Sequence, residues 1–111
     1  MCIRDSSDTI EFFGLNSYEW CGGSSFMVSG YSTLTTEIKN YPIPVFMSET
    51  GCNTVPPRNF QDQTAMFSDM MTPYWSGAVI YEWIQEVNHY GLVTYGDDLS
   101  LIHISEPTRP Y

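Results

Sequence analysis

Residues 44–53, PVFMSETGCN, join a short apolar run to a polar segment that begins at Ser48. Two similar apolar runs occupy residues 10–15 (IEFFGL) and 77–81 (GAVIY), and the centres of the three runs lie about 33 residues apart. Each run is nearly continuous rather than alternating, which is typical of a parallel β-strand buried on both faces. The three runs therefore predict three parallel strands, at residues 10–15, 44–47 and 77–81.

Amphipathic segments between these runs indicate the helices that connect the strands. Residues 32–40 place Leu34 and Ile38 four positions apart, on one helical face. Residues 59–71 predict a second helix, with a buried stripe of Phe60, Thr64, Phe67 and Met71, broadened by Met66 and Met70. Strand, helix and strand at this spacing predict βαβ units with right-handed crossovers, and thus an α/β fold. A complete eight-stranded barrel needs about 250 residues, more than this chain has. A small doubly wound sheet is the alternative, but it would be expected to carry a Gly-x-Gly-x-x-Gly loop, which the sequence lacks.

The composition limits the classes of function. The chain has 111 residues, with 13 acidic and 4 basic side chains and a formal net charge of −9. One domain is expected at this length, and 42% apolar with 15% charged residues excludes a disordered acidic tail. Nucleic acid is not an expected partner, because its binding requires clustered Lys and Arg. No apolar run reaches the roughly 18–20 residues of a membrane helix. Aromatic residues make up 15% of the chain, which fits an aromatic core, favoured by composition alone, or a surface that stacks against sugar rings.

Both ends of the chain resemble translated sequencing-adapter DNA. The start, MCIRD, corresponds to one strand of a transposon end used in sequencing libraries, and LSLIHI near the other end corresponds to its opposite strand. The SEPTR that follows matches the adjoining adapter. We therefore expect residues 1–6 and 99–111 to be adapter-derived and residues 7–98 to be the native segment.

The native segment retains two cysteines, Cys21 and Cys52, and one histidine, His89. So few ligands cannot make a closed zinc site, and we expect neither a metal nor a cofactor. An even pair of cysteines in a segment with few lysines indicates a disulfide and an oxidising compartment. Two free buried thiols are the alternative.

Polar and aromatic side chains follow each of the three predicted strands. In a βα barrel the C-terminal ends of the strands face the active site. Glu49 comes directly after the apolar run 44–47, where a carboxylate is costly unless it faces a polar cleft. From the residues alone, a catalytic Glu49 and a Glu49 that merely ends the strand are equally favoured.

A series of motifs spans nearly all of residues 7–98. They are FFGLN at 12–16, YEWCG at 18–22, SGY at 29–31, YPIPVF at 41–46, SE and GCN within 48–53, Arg58 with Phe60, WSG at 75–77, Tyr81, Glu86, Asn88 and YG at 90–91. In order and spacing they resemble the C-terminal third of the catalytic domain of the fungal β-1,3-glucanosyltransferases, glycoside hydrolase family 72.

The resemblance implies that residues 7–98 are a partial glycoside hydrolase barrel, a fragment of a (β/α)8 TIM barrel with about strands six to eight and their helices. It implies a retaining mechanism whose nucleophile is Glu49, the Glu of the family's Ser-Glu-x-Gly-Cys-Asn motif. Tyr18 and Tyr81 fall on family tyrosines that line the sugar cleft. The alternative for each tyrosine is an amphipathic core residue whose hydroxyl is satisfied.

The second carboxylate of a retaining enzyme lies about 5–5.5 Å from the nucleophile. In the family it is the Glu of an Asn-Glu pair at the end of strand four, upstream of this segment. None of the glutamates Glu19, Glu82 and Glu86 matches the position of this acid/base Glu. Strand alternation points Glu82 away from the cleft if Tyr81 faces it, and Glu86 is expected to be structural or to shape the cleft. The 111-residue polypeptide alone is therefore expected to be inactive.

By resemblance the parent protein is expected to be a 1,3-β-glucanosyltransferase, whose partners are donor and acceptor β-1,3-glucan chains. Tyr81 and Trp83 could supply the acceptor surface, and Cys21 and Cys52 match a disulfide pair of the family. The family also implies a secreted parent at the cell surface or cell wall, held on the plasma membrane by a GPI lipid anchor. The alternatives are a β-glucanase on a related barrel and a non-catalytic glucan-binding wall protein.

Overall fold

The computed structural model describes residues 10–96 and the backbone of residues 101–104. The expected adapter-derived ends lie outside the described residues, except for that short stretch of backbone. No helix in the described part of the chain is long and apolar enough to cross a bilayer. Its elements, in order, are β1 Phe13–Ser17, α1 Tyr31–Ile38, β2 Val45–Thr50, α2 Gln61–Met66, β3 Ala78–Ile80, β4 Val93–Tyr95 and β5 Leu101–Ile104.

The three predicted strands form one parallel sheet in the order β1-β2-β3, so that β2 is central. The α/β fold and the three parallel strands are thus confirmed. β1 begins at Phe13, later than predicted, and continues to Ser17. It extends that far because Asn16 and Ser17 remain in the ladder, opposite Glu49 and Thr50.

A bulge interrupts β2 just before its end. Leu15 and Asn16 are adjacent in β1, but their partners are Met47 and Glu49, which are two positions apart. The ladder between β2 and β3 is irregular over the same stretch, since Met47 pairs with Ala78 and Thr50 with Ile80. A bulge bends the strand and re-aims the side chains beside it. It marks the place where β2 changes from Met47, which is fully buried in the core, to the polar residues at the strand end.

The core lies between the sheet and the helices. From β2 it takes Val45 and Met47, and from the segment between α2 and β3 it takes Met71 and Trp75. In α1 the predicted apolar face is confirmed, because Ile38 is buried and Leu34 packs against the core. The Trp75 indole Nε1 donates a hydrogen bond of 2.8 Å to Thr35 Oγ1, so the polar atom of this buried ring is satisfied.

The second helix is shorter than the sequence predicted. It ends at Met66 rather than at residue 71, because the amides of Ser68 and Met71 donate to turn carbonyls three residues earlier. The 3.6-residue period therefore stops at Met66. The predicted stripe is wrong at Thr64 and Phe67, which are exposed, and correct at Phe60, Met66 and Met71, which are buried. Met70 is also exposed.

A second, two-stranded antiparallel sheet, made of β4 and β5, was not predicted. β4 has only three residues, too few to produce a periodic signal in the sequence. Its first residue, Val93, is almost completely buried, and its amide donates to the carbonyl of Trp83 at 2.9 Å. The chain that leaves β3 therefore turns back on itself and returns beside its own start.

Candidate active site

Glu49 and Tyr18 meet at the C-terminal ends of two neighbouring parallel strands. Glu49 stands next to the end of β2, directly after the bulge, and Tyr18 follows the last residue of β1. The Tyr18 hydroxyl donates a hydrogen bond to Glu49 Oε2. Desolvation raises the pKa of Tyr18, and the hydrogen bond with Glu49 and the charge of that carboxylate raise it further. Tyr18 is therefore held as a neutral hydroxyl that donates to the carboxylate.

Three tyrosine rings pack around this hydrogen bond. The ring centroids of Tyr18 and Tyr81 are 6.2 Å apart, those of Tyr18 and Tyr90 are 5.7 Å apart, and those of Tyr81 and Tyr90 are 5.4 Å apart. All three pairs have the edge-to-face geometry that aromatic quadrupoles favour. We call Tyr18, Tyr81 and Tyr90 the tyrosine cluster. The structure thus brings together the three predicted site residues, Glu49, Tyr18 and Tyr81.

Tyr90 belongs to this cluster although the sequence does not mark it as a site residue. It reaches the site because the chain from Tyr81 to Tyr90 turns back, which brings the Glu82 amide within 3.2 Å of the Tyr90 carbonyl oxygen. The only signal in the sequence was the Tyr90-Gly91 motif. A motif alone does not reveal that two tyrosines nine residues apart share one site.

Glu82 and Tyr81 lie beyond the strand in which alternation was expected. β3 ends at Ile80, so neither Tyr81 nor Glu82 lies in a regular strand, and the period of two does not govern them. The pKa of Tyr81 is raised by loss of hydration and then by the neighbouring Glu82 carboxylate. The expected orientation of Glu82, away from the cleft, stays a prediction. Asn88 Nδ2 donates to the Tyr81 hydroxyl at 3.4 Å.

The other carboxylates considered as acid/base candidates are placed elsewhere. Glu19 is exposed, and its Oε2 lies against Gly30, where an added Cβ would approach it to 2.7 Å. Glu86 is exposed within the chain between β3 and β4, and His89 on the same segment is exposed as well. No group of three or more His, Cys, Asp or Glu side chains in the described residues could hold a metal ion.

Cys21 and Cys52 form a disulfide across the same end of the sheet, with their Cα atoms 5.1 Å apart. Cys21 follows β1 and Cys52 follows β2. The bond therefore ties the two loops that follow Tyr18 and Glu49, and the alternative of two free thiols does not hold.

Loss of this disulfide is expected to reduce stability strongly. Closing a loop with a sequence separation of 31 residues restricts the unfolded chain and stabilises the fold by about 3–4 kcal/mol. Replacing both cysteines, as Cys21→Ser with Cys52→Ser, avoids leaving a single free thiol. In a complete protein that carries this segment, urea unfolding is expected to show a loss of about that size. Equal unfolding free energies for the disulfide-bonded protein and the double-serine variant would contradict the expected loss of stability.

Comparison with known proteins identifies the family of the chain. The glucanosyltransferase model of glycoside hydrolase family 72 matches residues 1–106. The chain is 53% identical over 90 residues to 1,3-β-glucanosyltransferase gas2 of Schizosaccharomyces pombe, which is 81% of this chain and 20% of that protein. It is 49% identical over 98 residues to 1,3-β-glucanosyltransferase gel2 of Aspergillus fumigatus, which is 88% of this chain and 21% of that protein.

A solved structure shares the fold. Gas2p of Saccharomyces cerevisiae in complex with laminaritriose and laminaritetraose superposes with a TM-score of 0.82 and 44% sequence identity, over 85% of this chain and 22% of that one. The chain thus spans about a fifth of the length of the relatives it matches. The sequence resemblance is confirmed: the chain belongs to the glucanosyltransferases of glycoside hydrolase family 72.

Proposed function

We propose that this chain is part of a retaining β-1,3-glucanosyltransferase and that Glu49 is its nucleophile. The observation that carries the proposal is the hydrogen bond from Tyr18 to Glu49 at the C-terminal ends of adjacent parallel strands. That end of a βα sheet is where catalytic residues of barrel enzymes lie. In this proposal β1, β2 and β3 are strands six to eight of a (β/α)8 barrel.

The chemistry proceeds through a covalent glycosyl-enzyme. A carboxylate oxygen of Glu49 attacks the anomeric carbon of a donor glucan, and the bond from that carbon to the leaving sugar oxygen breaks. A second carboxyl group, from the upstream Asn-Glu pair expected in the parent, gives the leaving oxygen a proton. The same group then removes a proton from the acceptor hydroxyl, whose oxygen attacks the anomeric carbon; the bond from that carbon to the Glu49 oxygen breaks, and the Glu49 carboxylate is restored.

Tyr18 orients the nucleophile in this mechanism. Its hydroxyl donates to Glu49 Oε2, which leaves the other carboxylate oxygen to attack. Because a hydrogen bond is directional, it also fixes the direction in which the carboxylate points. Because the pKa of Tyr18 is raised, the hydroxyl keeps its proton at pH values where a free tyrosine begins to ionise.

The proposed substrate is β-1,3-glucan, both as donor and as acceptor. The support is that Gas2p, the structural relative, is in complex with laminaritriose and laminaritetraose. Tyr81 faces the site within the tyrosine cluster, and Trp83 is 59% exposed. An exposed aromatic ring can stack on an acceptor sugar, and a bound acceptor favours transfer over hydrolysis by displacing water. Product analysis distinguishes a transferase from a β-glucanase, since a β-glucanase yields only shorter oligosaccharides.

We further propose that the parent acts outside the cell, at the surface or in the wall, and that a GPI anchor attaches it to the plasma membrane. The Cys21–Cys52 disulfide supports an oxidising compartment. The anchor rests on the family resemblance.

The tests require a complete protein. We define the grafted protein as S. pombe gas2 in which the matching segment is replaced by residues 10–96 of this chain; the two sequences are 53% identical over their alignment. The direct test of the proposed function is Glu49→Gln in the grafted protein, for which we expect loss of glucan transfer.

Tyr18→Phe is expected to lower kcat/KM for glucan transfer on the order of 10²-fold, because one donor to the reacting carboxylate is lost while the ring remains. Transfer is measured from the elongation of a reduced laminari-oligosaccharide by chromatography. Tyr74→Phe is the matched control, because Tyr74 is an exposed tyrosine on the segment before β3. A Tyr18→Phe protein as active as the Tyr74→Phe protein would contradict an orienting role for the hydroxyl.

A further inference from the structure

Arg58 makes an unusual set of contacts beneath the tyrosine cluster. Its Nη1 donates to the carbonyl oxygen of Tyr81 at 3.1 Å and to that of Tyr90 at 2.7 Å. These carbonyls belong to the two tyrosines at the ends of the chain that leaves β3 and turns back. One guanidinium thus joins the backbone of two members of the cluster.

The surroundings of Arg58 are shaped to hold the guanidinium in place. Its Cζ lies 4.7 Å from the ring centroid of Phe60 and 5.7 Å from that of Tyr90, in cation–π geometry. A Cβ at Gly51 would lie 2.8 Å from Arg58 Nη2 and 3.2 Å from the Tyr81 carbonyl oxygen. The glycine therefore leaves the space that the guanidinium fills.

The charge of Arg58 is partly desolvated. Burial lowers the pKa of Arg58, while the nearby charge of Asp62 opposes that shift. Asp62 is itself 6% exposed. Taking a charge out of water is unfavourable unless hydrogen bonds and an opposite charge compensate for it. Here the two carbonyl oxygens accept hydrogen bonds from the guanidinium, and the negative charge of Asp62 lies near it.

Other hydrogen bonds also hold the segment between Tyr81 and Tyr90. Asn53 Nδ2 donates to the Asn88 carbonyl oxygen, and Asn88 in turn donates to the Tyr81 hydroxyl. These contacts hold Asn88, whereas Arg58 binds the carbonyls at the two ends of the segment. The hydrogen bonds that Arg58 makes lead to Glu49 through Tyr81, Tyr90 and Tyr18.

We propose that Arg58 is a positioning residue for glycosyl transfer: by binding the carbonyls of Tyr81 and Tyr90 it holds both rings against Tyr18, and so holds the hydroxyl that orients Glu49. The inference rests on the proposed function of Glu49. It assigns to Arg58 a role in the geometry of the reacting centre, beyond a contribution to folding.

The test uses two variants of the grafted protein. Arg58→Ala is expected to lower kcat by about 10- to 100-fold with KM for the donor within about threefold, because small displacements at a reacting centre lower the rate more than they weaken binding. Arg58→Lys keeps the charge but loses the planar fork, and a smaller loss of kcat is expected. Lys39→Ala is the matched control, because Lys39 is an exposed cation at the end of α1.

Two further readouts separate positioning from folding. Guanidinium ion, at millimolar concentrations well below those that denature proteins, is expected to restore part of the kcat of Arg58→Ala and to leave Glu49→Gln inactive. Thermal unfolding gives the folded fraction, to which kcat is normalised.

The proposal would be overturned if the kcat of Arg58→Ala per folded molecule equalled that of Lys39→Ala. If Arg58→Ala does not fold, Arg58→Lys decides: an unchanged kcat rejects the positioning role, and a lowered kcat at an unchanged melting temperature supports it. The proposed function fails separately, through retained transfer by Glu49→Gln.

Discussion

Glu49→Gln is expected to lower the kcat for glucan transfer by the grafted protein by at least about 10⁴-fold, because the amide cannot form the covalent glycosyl intermediate. The change is nearly isosteric, and the amide oxygen can still accept the hydrogen bond from Tyr18 that the carboxylate accepts. Binding of laminari-oligosaccharides should therefore persist while turnover is lost. Transfer is followed by chromatography of elongated products, and binding by titration calorimetry.

A matched control shows whether the loss is specific. Glu37 is an exposed glutamate on α1, outside the sheet that carries Glu49, and Glu37→Gln should leave kcat unchanged. Loss of transfer with retained binding in Glu49→Gln alone identifies the nucleophile. Undiminished transfer by Glu49→Gln would eliminate Glu49 as the nucleophile and favour a non-catalytic, glucan-binding role for this segment. Loss of both binding and folding would instead assign Glu49 a structural role, which contradicts the proposal.

The parts of the fold that were predicted correctly are those with strong local signals. Three continuous apolar runs predicted three parallel strands, because a strand buried on both faces tolerates few polar residues. The apolar face of α1 was predicted from Leu34 and Ile38 at a helical spacing. The extent of α2 was not predicted correctly, because Phe67 continues the helical period of the sequence although the helix has already ended. The Phe67 side chain is 65% exposed. A periodic pattern cannot report where turn hydrogen bonds replace helical ones.

The features of the candidate site also fall into those that the sequence could indicate and those that it could not. Glu49 could be singled out as a candidate because a carboxylate directly after an apolar strand is costly unless it faces a polar cleft, and the family resemblance then implied its role as nucleophile. The bulge that brings Glu49 opposite Asn16 could not be predicted, because a bulge depends on how two strands pair and not on one stretch of sequence. Arg58 is part of a motif, but its contacts were equally hidden. Its partners are the backbone carbonyls of Tyr81 and Tyr90, and every residue has a carbonyl, so no residue pattern marks them.

The isolated 111-residue chain is expected to have no measurable glucan transfer and no cooperative unfolding transition. In the described residues β1 and β3 each pair on one side only, so each leaves a row of backbone groups without strand partners. Several large apolar side chains are also exposed, among them Phe12 at 61%, Val28 at 82% and Val87 at 95%. In a closed barrel a neighbouring strand pairs with each edge, and no edge remains.

The measurement compares the isolated chain with the grafted protein, in which the same residues have the remaining parts of a complete relative around them. Transfer on laminari-oligosaccharides, and unfolding followed by near-ultraviolet circular dichroism, are recorded for both. The grafted protein should be active and should unfold cooperatively, whereas the isolated chain should do neither. Because Glu49, Tyr18 and Tyr81 are present in both proteins, a difference arises from the missing acid/base carboxylate and the missing strand partners. Transfer by the isolated chain would show that one of its own carboxylates, with Glu82 beside Tyr81 as the first to examine, can act as the acid/base, and would refute the need for an upstream partner.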